Sequence, residues 1–446
     1  MNSPTGTRDA SATAVTELAP PDHTYLHLDT KSSPMHWAMV LELESGDRHL
    51  ALDEVRARVR ERAPLFDIFR VGVRNGRWRK PEVVLADFVD VERHVAHAEY
   101  AGPADLRQRI ATLHETHLPR PAPFWHITLF TPRGSGAQFI LLRVHHSLSD
   151  GIAGAAFAAL LADGTAEELA EFERFATSPR YRISEVEPTA LKEAKSAFDE
   201  QWKAGRHGRG WPALTGSGRR EVALHSVATR TLRRTAKHNG ATVHEFLLAA
   251  VGRTVSLAPP ATGTPQAESI RVTLPVTHDA AFRHTGNAVL VSLLNIPGNE
   301  TDLARQIERC RSELATVEAR HPELALAAAD NLPKPPWPLA RAIANASMSR
   351  MSPDIHIGIN PGFSRIRSVL GTKITELTPI SPLVGYSFSV TALILGNRTS
   401  FGIVTDPAAL PQGYAATFVE QFDRVLTEAA KPDDATSRPA APREEV

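Results

Sequence analysis

The 446 residues carry 50 Lys and Arg against 50 Asp and Glu, a formal net charge of zero. That balance excludes a general nucleic-acid binder, which needs a cationic field to meet a phosphate backbone, and a hydrophobic share of 42% excludes wholesale disorder. The single cysteine, Cys310, excludes an internal disulfide and a thiolate zinc cluster and fits a reducing compartment.

Residues 1–20 and 431–446 are small, polar or Pro-rich without hydrophobic period, and are expected to be solvated tails. The longest apolar-plus-glycine run, Gly151 to Ala162, falls short of the roughly 18–20 residues that span a bilayer. The first residues also lack the basic start and apolar segment of a secretion signal. A cytoplasmic protein is expected, with peripheral membrane or lipid-droplet contact left open.

Residues 21–175 alternate strands and helices and form the first of two expected α+β units. Met35 to Leu43 reads as a strand, and Leu52 to Arg62 as a helix with Leu52, Val55 and Val59 on one face. Phe66 to Val73 is expected to meet Arg77 to Lys80 across Asn75-Gly76, a dipeptide favoured in tight hairpins. A helix is expected over Ala104 to Leu118, strands over Phe124 to Phe130 and Ala137 to His146, and an apolar helix over Ile152 to Ala162. Residues 176–220 show no strand period and read as a crossover linker. Residues 221–430 repeat the mixture as a second unit, with strands at 221–228, 269–276, 288–296, 354–359, 385–395 and 399–405. Helices are expected there at 242–257, 301–320 and 412–430.

The informative stretch is Arg143-Val144-His145-His146-Ser147-Leu148-Ser149-Asp150-Gly151. Adjacent histidines on a strand point to opposite faces, so His145 and His146 do not share a metal ion, and no metal is expected. His146 follows Ile140, Leu142 and Val144 on its face, a low-dielectric wall that keeps an imidazole neutral, as a general base requires. Asp150 and Gly151 end the turn and open the apolar helix, Asp150 as an N-cap and Gly151 as a site of close backbone approach. Ser147 and Ser149 read as turn formers.

HHSLSDG matches the HHxxxDG signature of acyltransferases built like chloramphenicol acetyltransferase and peptide-synthetase condensation domains. Pro34-Met35-His36, Pro123-Phe124-Trp125, Leu274-Pro275-Val276 with Gly286-Asn287, and Phe401-Gly402 with Asp406 then resemble, in matching order, elements of the bacterial wax ester synthase/diacylglycerol acyltransferase family. The resemblance implies an α+β fold of two chloramphenicol-acetyltransferase-like subdomains in a V-shaped pair with a central tunnel. It further implies an enzyme that takes an acyl group from acyl-CoA, as substrate and with no cofactor, and passes it to an alcohol hydroxyl. The candidate catalytic residues are His146, His145 and Asp150. His146 is the implied base, and Asp150 is implied to pair with an arginine, Arg143 being one candidate among the chain's many.

Trp125, His244, Glu245, Asn287 and Asn360 are candidate substrate contacts. His244-Glu245 stands where the family carries Asn-Asp, and Gly358-Ile359-Asn360-Pro361-Gly362-Phe363 replaces its SNVPGP loop. These departures tilt the expected acceptor from a long-chain alcohol or diacylglycerol towards a hydroxyl on a specialised metabolite. For Trp125 the bland alternative is core packing, and for Glu245 the first turn of a helix. Trp337, in the Pro-rich stretch Asn331 to Leu339, is either a lipid-surface contact or packed inward. Two other functions stay open: an amide-forming condensation enzyme with a carrier-protein thioester donor, and a non-catalytic lipid- or protein-binding relative. No attached carrier or adenylation domain is present for the first, and the intact His146 and Asp150 count against the second.

Overall fold

The computed structural model describes residues 20–431, apart from 47, 75–80, 121–122, 178–186, 204–210, 261–266, 278–286, 288, 322–323, 325–335 and 364–366. Its architecture is two six-stranded sheets, each with helices packed on it, plus one small hairpin.

In the first half, α1 (Pro20–Leu28) precedes β1 (His36–Leu43), and α2 (Leu52–Arg62) leads to the hairpin of β2 (Val71–Arg74) and β3 (Glu82–Leu85). The hairpin pairs β2 with Glu82–Leu85, Arg74 facing Glu82; the expected Asn75-Gly76 turn and the expected partner at 77–80 lie outside the described residues. There follow α3 (Val91–His94), β4 (Val95–Tyr100), α4 (Pro103–His114), β5 (Trp125–Pro132), β6 (Phe139–His145) and α5 (Gly151–Ala159). Alternation along the strands decides which side is buried against what. Trp37, Met39 and Leu41 of β1 join Ile140, Leu142 and Val144 of β6 beneath Val55 and Val59 of α2 and Phe157 of α5. On the other face Ala38, Val40 and Leu141 meet Leu106 and Ile110 of α4, in a cluster shared with Val222, Tyr386 and Val404 of the second half.

The expected crossover is partly helical: α6 (Ala166–Thr177) runs into it and α7 (Pro188–Lys203) lies within it. The second half contains β7 (Glu221–Ala228), α8 (Thr229–His238), α9 (Val243–Leu257), β8 (Ser269–Thr277), β9 (Val289–Pro297), α10 (Leu303–Glu318) and α11 (Trp337–Met351). Then come β10 (Ile355–Phe363), β11 (Ser368–Val369), β12 (Thr372–Ile380), β13 (Phe388–Leu395), β14 (Arg398–Thr405) and α12 (Tyr414–Ala429). Its sheet runs β7-β14-β13-β10-β8-β9. Val272, Ile357, Val390 and Ile403 of that sheet pack on Phe246, Leu248 and Val251 of α9, and on Phe418 and Phe422 of α12.

The first sheet runs β11-β12-β1-β6-β5-β4. Two of its strands therefore come from residues 368–380, and the segment 221–430 does not fold as one sequential unit. Register makes the exchange specific: β12 pairs antiparallel with β1, Ala38 opposite Ile380 and Leu41 opposite Leu377. Where β12 crosses β14, a Cβ on Gly402 would lie 1.9 Å from the Pro379 carbonyl oxygen, so only glycine fits. No helix among the described residues is long and apolar enough to cross a membrane.

Candidate active site

His146 lies at the seam between the halves. It follows β6, its backbone N–H donates to the Met35 carbonyl at 2.8 Å, and its Nδ1 lies 2.9 Å from Oδ1 of Asn287, from the second half. The Asn287 amide nitrogen donates in turn to the His146 carbonyl at 2.5 Å and to Asp22 Oδ1 at 2.9 Å. Tyr25 stacks on the imidazole, ring centroids 3.8 Å apart and planes 8° from parallel. Burial is the main cause that lowers the His146 pKa to about 4, against small raising effects from its own carbonyl and Asn287. The ring is therefore neutral at physiological pH. No described residue takes Nε2.

His145 points the other way, as strand alternation requires. The Ser147 N–H donates to its Nδ1 at 3.1 Å, so the ring proton sits on Nε2, 3.3 Å from Asp29 Oδ2. Asp29 also accepts the Met35 N–H at 3.2 Å and pairs with His117 and Arg120. Burial works to raise the Asp29 pKa, but His145, Arg120 and His117 together hold it below the usual carboxylate value. The two neighbouring histidines thus do different work: His145 ties β6 to the segment after α1, and His146 faces the seam.

The turn between them and α5 is fixed from below. The Trp37 indole N–H lies 2.8 Å from the Ser149 carbonyl and 2.9 Å from its hydroxyl, and Ser147 and Ser149 are both buried. Asp150 is buried, and its carbonyl takes the Gly154 N–H at 2.8 Å, the first main-chain bond of α5. Arg143 spends Nη1 on the Leu113 and Thr116 carbonyls at 2.5 and 2.8 Å, at the end of α4, where a cation meets the negative pole of the helix. Burial lowers its pKa to about 10.

Asn360, on β10, reaches across to the start of α5. A Cβ on Gly151 would sit 3.3 Å from both the oxygen and nitrogen of its amide, while its Nδ2 donates to the Ala392 carbonyl at 3.3 Å. Gly151 lets the second half close onto the HHxxxDG helix. His356 comes to the same seam on β10, its Nδ1 3.0 Å from the Thr273 hydroxyl and its ring stacked on Tyr386 at 5.2 Å. Burial first, then the nearby His146, lowers its pKa to about 3.

Trp125, Glu245 and Trp337 take the structural one of their two readings. Trp125 is fully buried among Phe69, Phe157 and His94, with its indole N–H on the Phe69 carbonyl at 2.8 Å, so it belongs to the core of the first half. Glu245 forms the capping box of α9: Oε2 accepts the Thr242 N–H at 2.8 Å and Oε1 accepts Arg311 Nε at 3.0 Å. With both oxygens engaged it offers no wall to a substrate. His244 beside it is half-buried, with its pKa lowered by burial. Trp337 is half-buried against α1, its ring centroid 3.9 Å from that of His27 and 5.2 Å from that of His23. Glu245→Gln is expected to cost about 1 kcal/mol of stability through the weakened cap and to leave turnover unchanged, checked by urea unfolding beside initial rates.

Asp22, Tyr25 and His356 were not expected. Asp22, Tyr25 and Asp29 stand at helical spacing, the one signal in the sequence that could have put them on a common face.

The histidines also set an acid limit. Burial lowers the pKa of His114 and His356 to about 3 and of His27 to about 4, all buried side chains. Each stays neutral when folded but protonates near 6.5 when unfolded. The folded form therefore binds fewer protons, and stability present above pH 6.5 is lost as pH falls towards 3–4. Each group contributes up to about 1.4 kcal/mol per pH unit. Urea midpoints measured at pH 7, 6 and 5 should fall steeply, and His114→Gln should flatten the slope by about one proton.

Comparison with known proteins agrees with this arrangement. Residues 18–189 match the family described as wax ester synthase/diacylglycerol acyltransferase catalytic domain. A Mycobacterium tuberculosis protein described as a diacylglycerol O-acyltransferase is 23% identical over 93% of this chain and 90% of its own length. The solved wax ester synthase/diacylglycerol acyltransferase from Marinobacter aquaeolei VT8 aligns with a TM-score of 0.66 at 17% identity, covering 93% of this chain and 100% of that one. Trichothecene 15-O-acetyltransferase from Fusarium sporotrichioides aligns with a TM-score of 0.67 at 11% identity, covering 94% and 95%. Both structural likenesses are of fold, two related subdomains with a sheet in each. Over residues 18–189 the chain is similar to the wax ester synthase/diacylglycerol acyltransferase catalytic domain, and over nearly its whole length it shares that family's fold.

Proposed function

We propose that this protein transfers an acyl group from acyl-CoA to an alcohol hydroxyl by direct attack, with His146 as general base. The observation that carries this reading is the neutral imidazole at the seam, with Nδ1 held by Asn287 and Nε2 left for chemistry. Nε2 accepts the hydroxyl proton as the oxygen bonds to the thioester carbonyl carbon. When the tetrahedral intermediate collapses, the C–S bond breaks and the imidazolium returns its proton to the thiolate. No acyl-enzyme is needed, so the serines beside His146 keep their structural bonds.

The names of the relatives favour a long-chain alcohol or diacylglycerol as acceptor. Glu245 gives no motive for a polar acceptor, because Thr242 and Arg311 engage its carboxylate. A second reading, acylation of a polyfunctional alcohol, is favoured by His356 and Tyr386, polar rings brought to the seam near His146. Turnover of one acyl-CoA with hexadecanol, diacylglycerol and a set of polar hydroxylated compounds tests both. Ester formation with the lipid acceptors alone supports the first, preference for the polar set supports the second, and thioester hydrolysis without any ester overturns both.

A further inference from the structure

The chain from His146 does not stop at Asn287. The Asn287 amide nitrogen faces two oxygens, Asp22 Oδ1 at 2.9 Å and the His146 carbonyl at 2.5 Å. Neither can donate: one is a carboxylate and the other a backbone carbonyl. The NH₂ of Asn287 must therefore lie on that side and its oxygen on the other, 2.9 Å from His146 Nδ1. An amide oxygen can only accept, so Nδ1 carries the ring proton and Nε2 carries the lone pair. The Tyr25 ring, three residues along α1 from Asp22, covers one face of the imidazole and limits its rotation.

We infer that Asp22 is a positioning residue for the transfer: from α1, through the Asn287 amide, it dictates which nitrogen of His146 is the base. The inference rests on the general-base reading and adds to it a residue outside the HHxxxDG motif, on a helix that no motif marks. A carboxylate at position 22 leaves the Asn287 amide one orientation. An asparagine there can present oxygen or NH₂, so the His146 carbonyl alone still opposes a turned Asn287 amide, and a population that donates to Nδ1 becomes accessible. The ring proton would then move to Nε2, the tautomer that cannot accept a proton from the acceptor hydroxyl.

Two measurements on the full chain test this. In imidazole ¹⁵N spectra, with the His146 signals identified by their loss in His146→Ala, wild type should show a protonated Nδ1 and a bare Nε2. Asp22→Asn should shift His146 towards the opposite tautomer. In kinetics, Asp22→Asn should lose about 10–10²-fold in kcat, the range seen when a partner that orients a histidine is removed, with KM for both substrates unchanged. The exchanged pair Asp22→Asn with Asn287→Asp keeps the net charge and again gives Nδ1–H a fixed acceptor, so it should recover kcat relative to Asn287→Asp alone. It should also raise the acid limb of the pH profile, because a carboxylate now meets the imidazole, whose other titratable neighbours among the described residues are Tyr25, His145 and His356; the tautomer signal of Asp22→Asn is the readout that a merely structural role would leave in place. A wild-type spectrum with the proton on Nε2, or an Asp22→Asn enzyme with wild-type kcat and tautomer, overturns the inference. His146→Ala separates the two ideas. If that variant is dead while Asp22→Asn is unaffected, only the inference falls; if it remains active, the general-base reading falls and the inference with it.

Discussion

His146→Ala is expected to lose about 10²–10⁴-fold in kcat, the range for removal of a general base, while far-ultraviolet dichroism and the urea midpoint stay close to wild type. The fold should survive because the imidazole contributes one ring stack with Tyr25 and one bond to Asn287, at a seam rather than in either core. The same reasoning fixes the pH profile: with the His146 pKa lowered to about 4 by burial, kcat/KM in wild type should stay level from pH 8 down to about 5.5, well above that value. A variant that keeps more than roughly a tenth of wild-type turnover, on the same scale, would remove His146 from the chemistry and leave the fold-level assignment standing.

The largest expected loss of stability lies far from that ring. Asp406 is fully buried at the end of β14. Its Oδ2 accepts the Thr215 N–H at 2.8 Å and the Thr215 hydroxyl at 2.6 Å, and its Oδ1 accepts the Ser217 hydroxyl and the Ala408 N–H, both at 3.0 Å. Burial alone would raise its pKa; the bonds from Thr215, Ala408 and Ser217 outweigh burial and hold the carboxyl below its usual value, with the Arg220 cation close by. Asp406→Ala strips four donors of their acceptor and leaves Arg220 short of a counter-charge. About 3–5 kcal/mol of destabilisation is expected, as for a broken buried ionic network. Urea unfolding measures it, and turnover per folded molecule should change little. A loss below about 1 kcal/mol, the size of a single ordinary hydrogen bond, would show that the loop from 211 to 220 holds without this residue.

What could be read from the sequence follows a physical line. The HHxxxDG junction was legible because strand, turn and helix are contiguous, and alternation alone separates His145 from His146. The elements with strong period, such as α2, α9, α10 and α12, emerged with ends shifted by a few residues at most. Strand β12 did not, because TKITELTPI alternates poorly and carries Pro379, which argues against an interior strand until its partner β1 is known. Helix α1 did not either: PPDHTYLHL has no apolar stripe, and its contacts are with residues far along the chain, Asn287 and Trp337 among them. Glu245 shows the converse. Thr242-Val243-His244-Glu245 is a capping box by spacing, and the local rule was the right guide where the departure from a family motif pointed to substrate.

The exchange of β12 bears on how the protein is made. A chain leaving the ribosome completes β1, β4, β5 and β6 early, but the strand that covers the free edge of β1 is residues 372–380. At about 5–20 residues per second, that edge waits uncovered while most of the second half is synthesised, a row of unpaired backbone groups open to other nascent chains. The first half cannot finish ahead of the second, and it cannot be cut out as a separately expressed fragment with its sheet whole. Stalling synthesis just before and just after residue 380 has emerged should therefore mark the step at which the nascent chain turns resistant to protease.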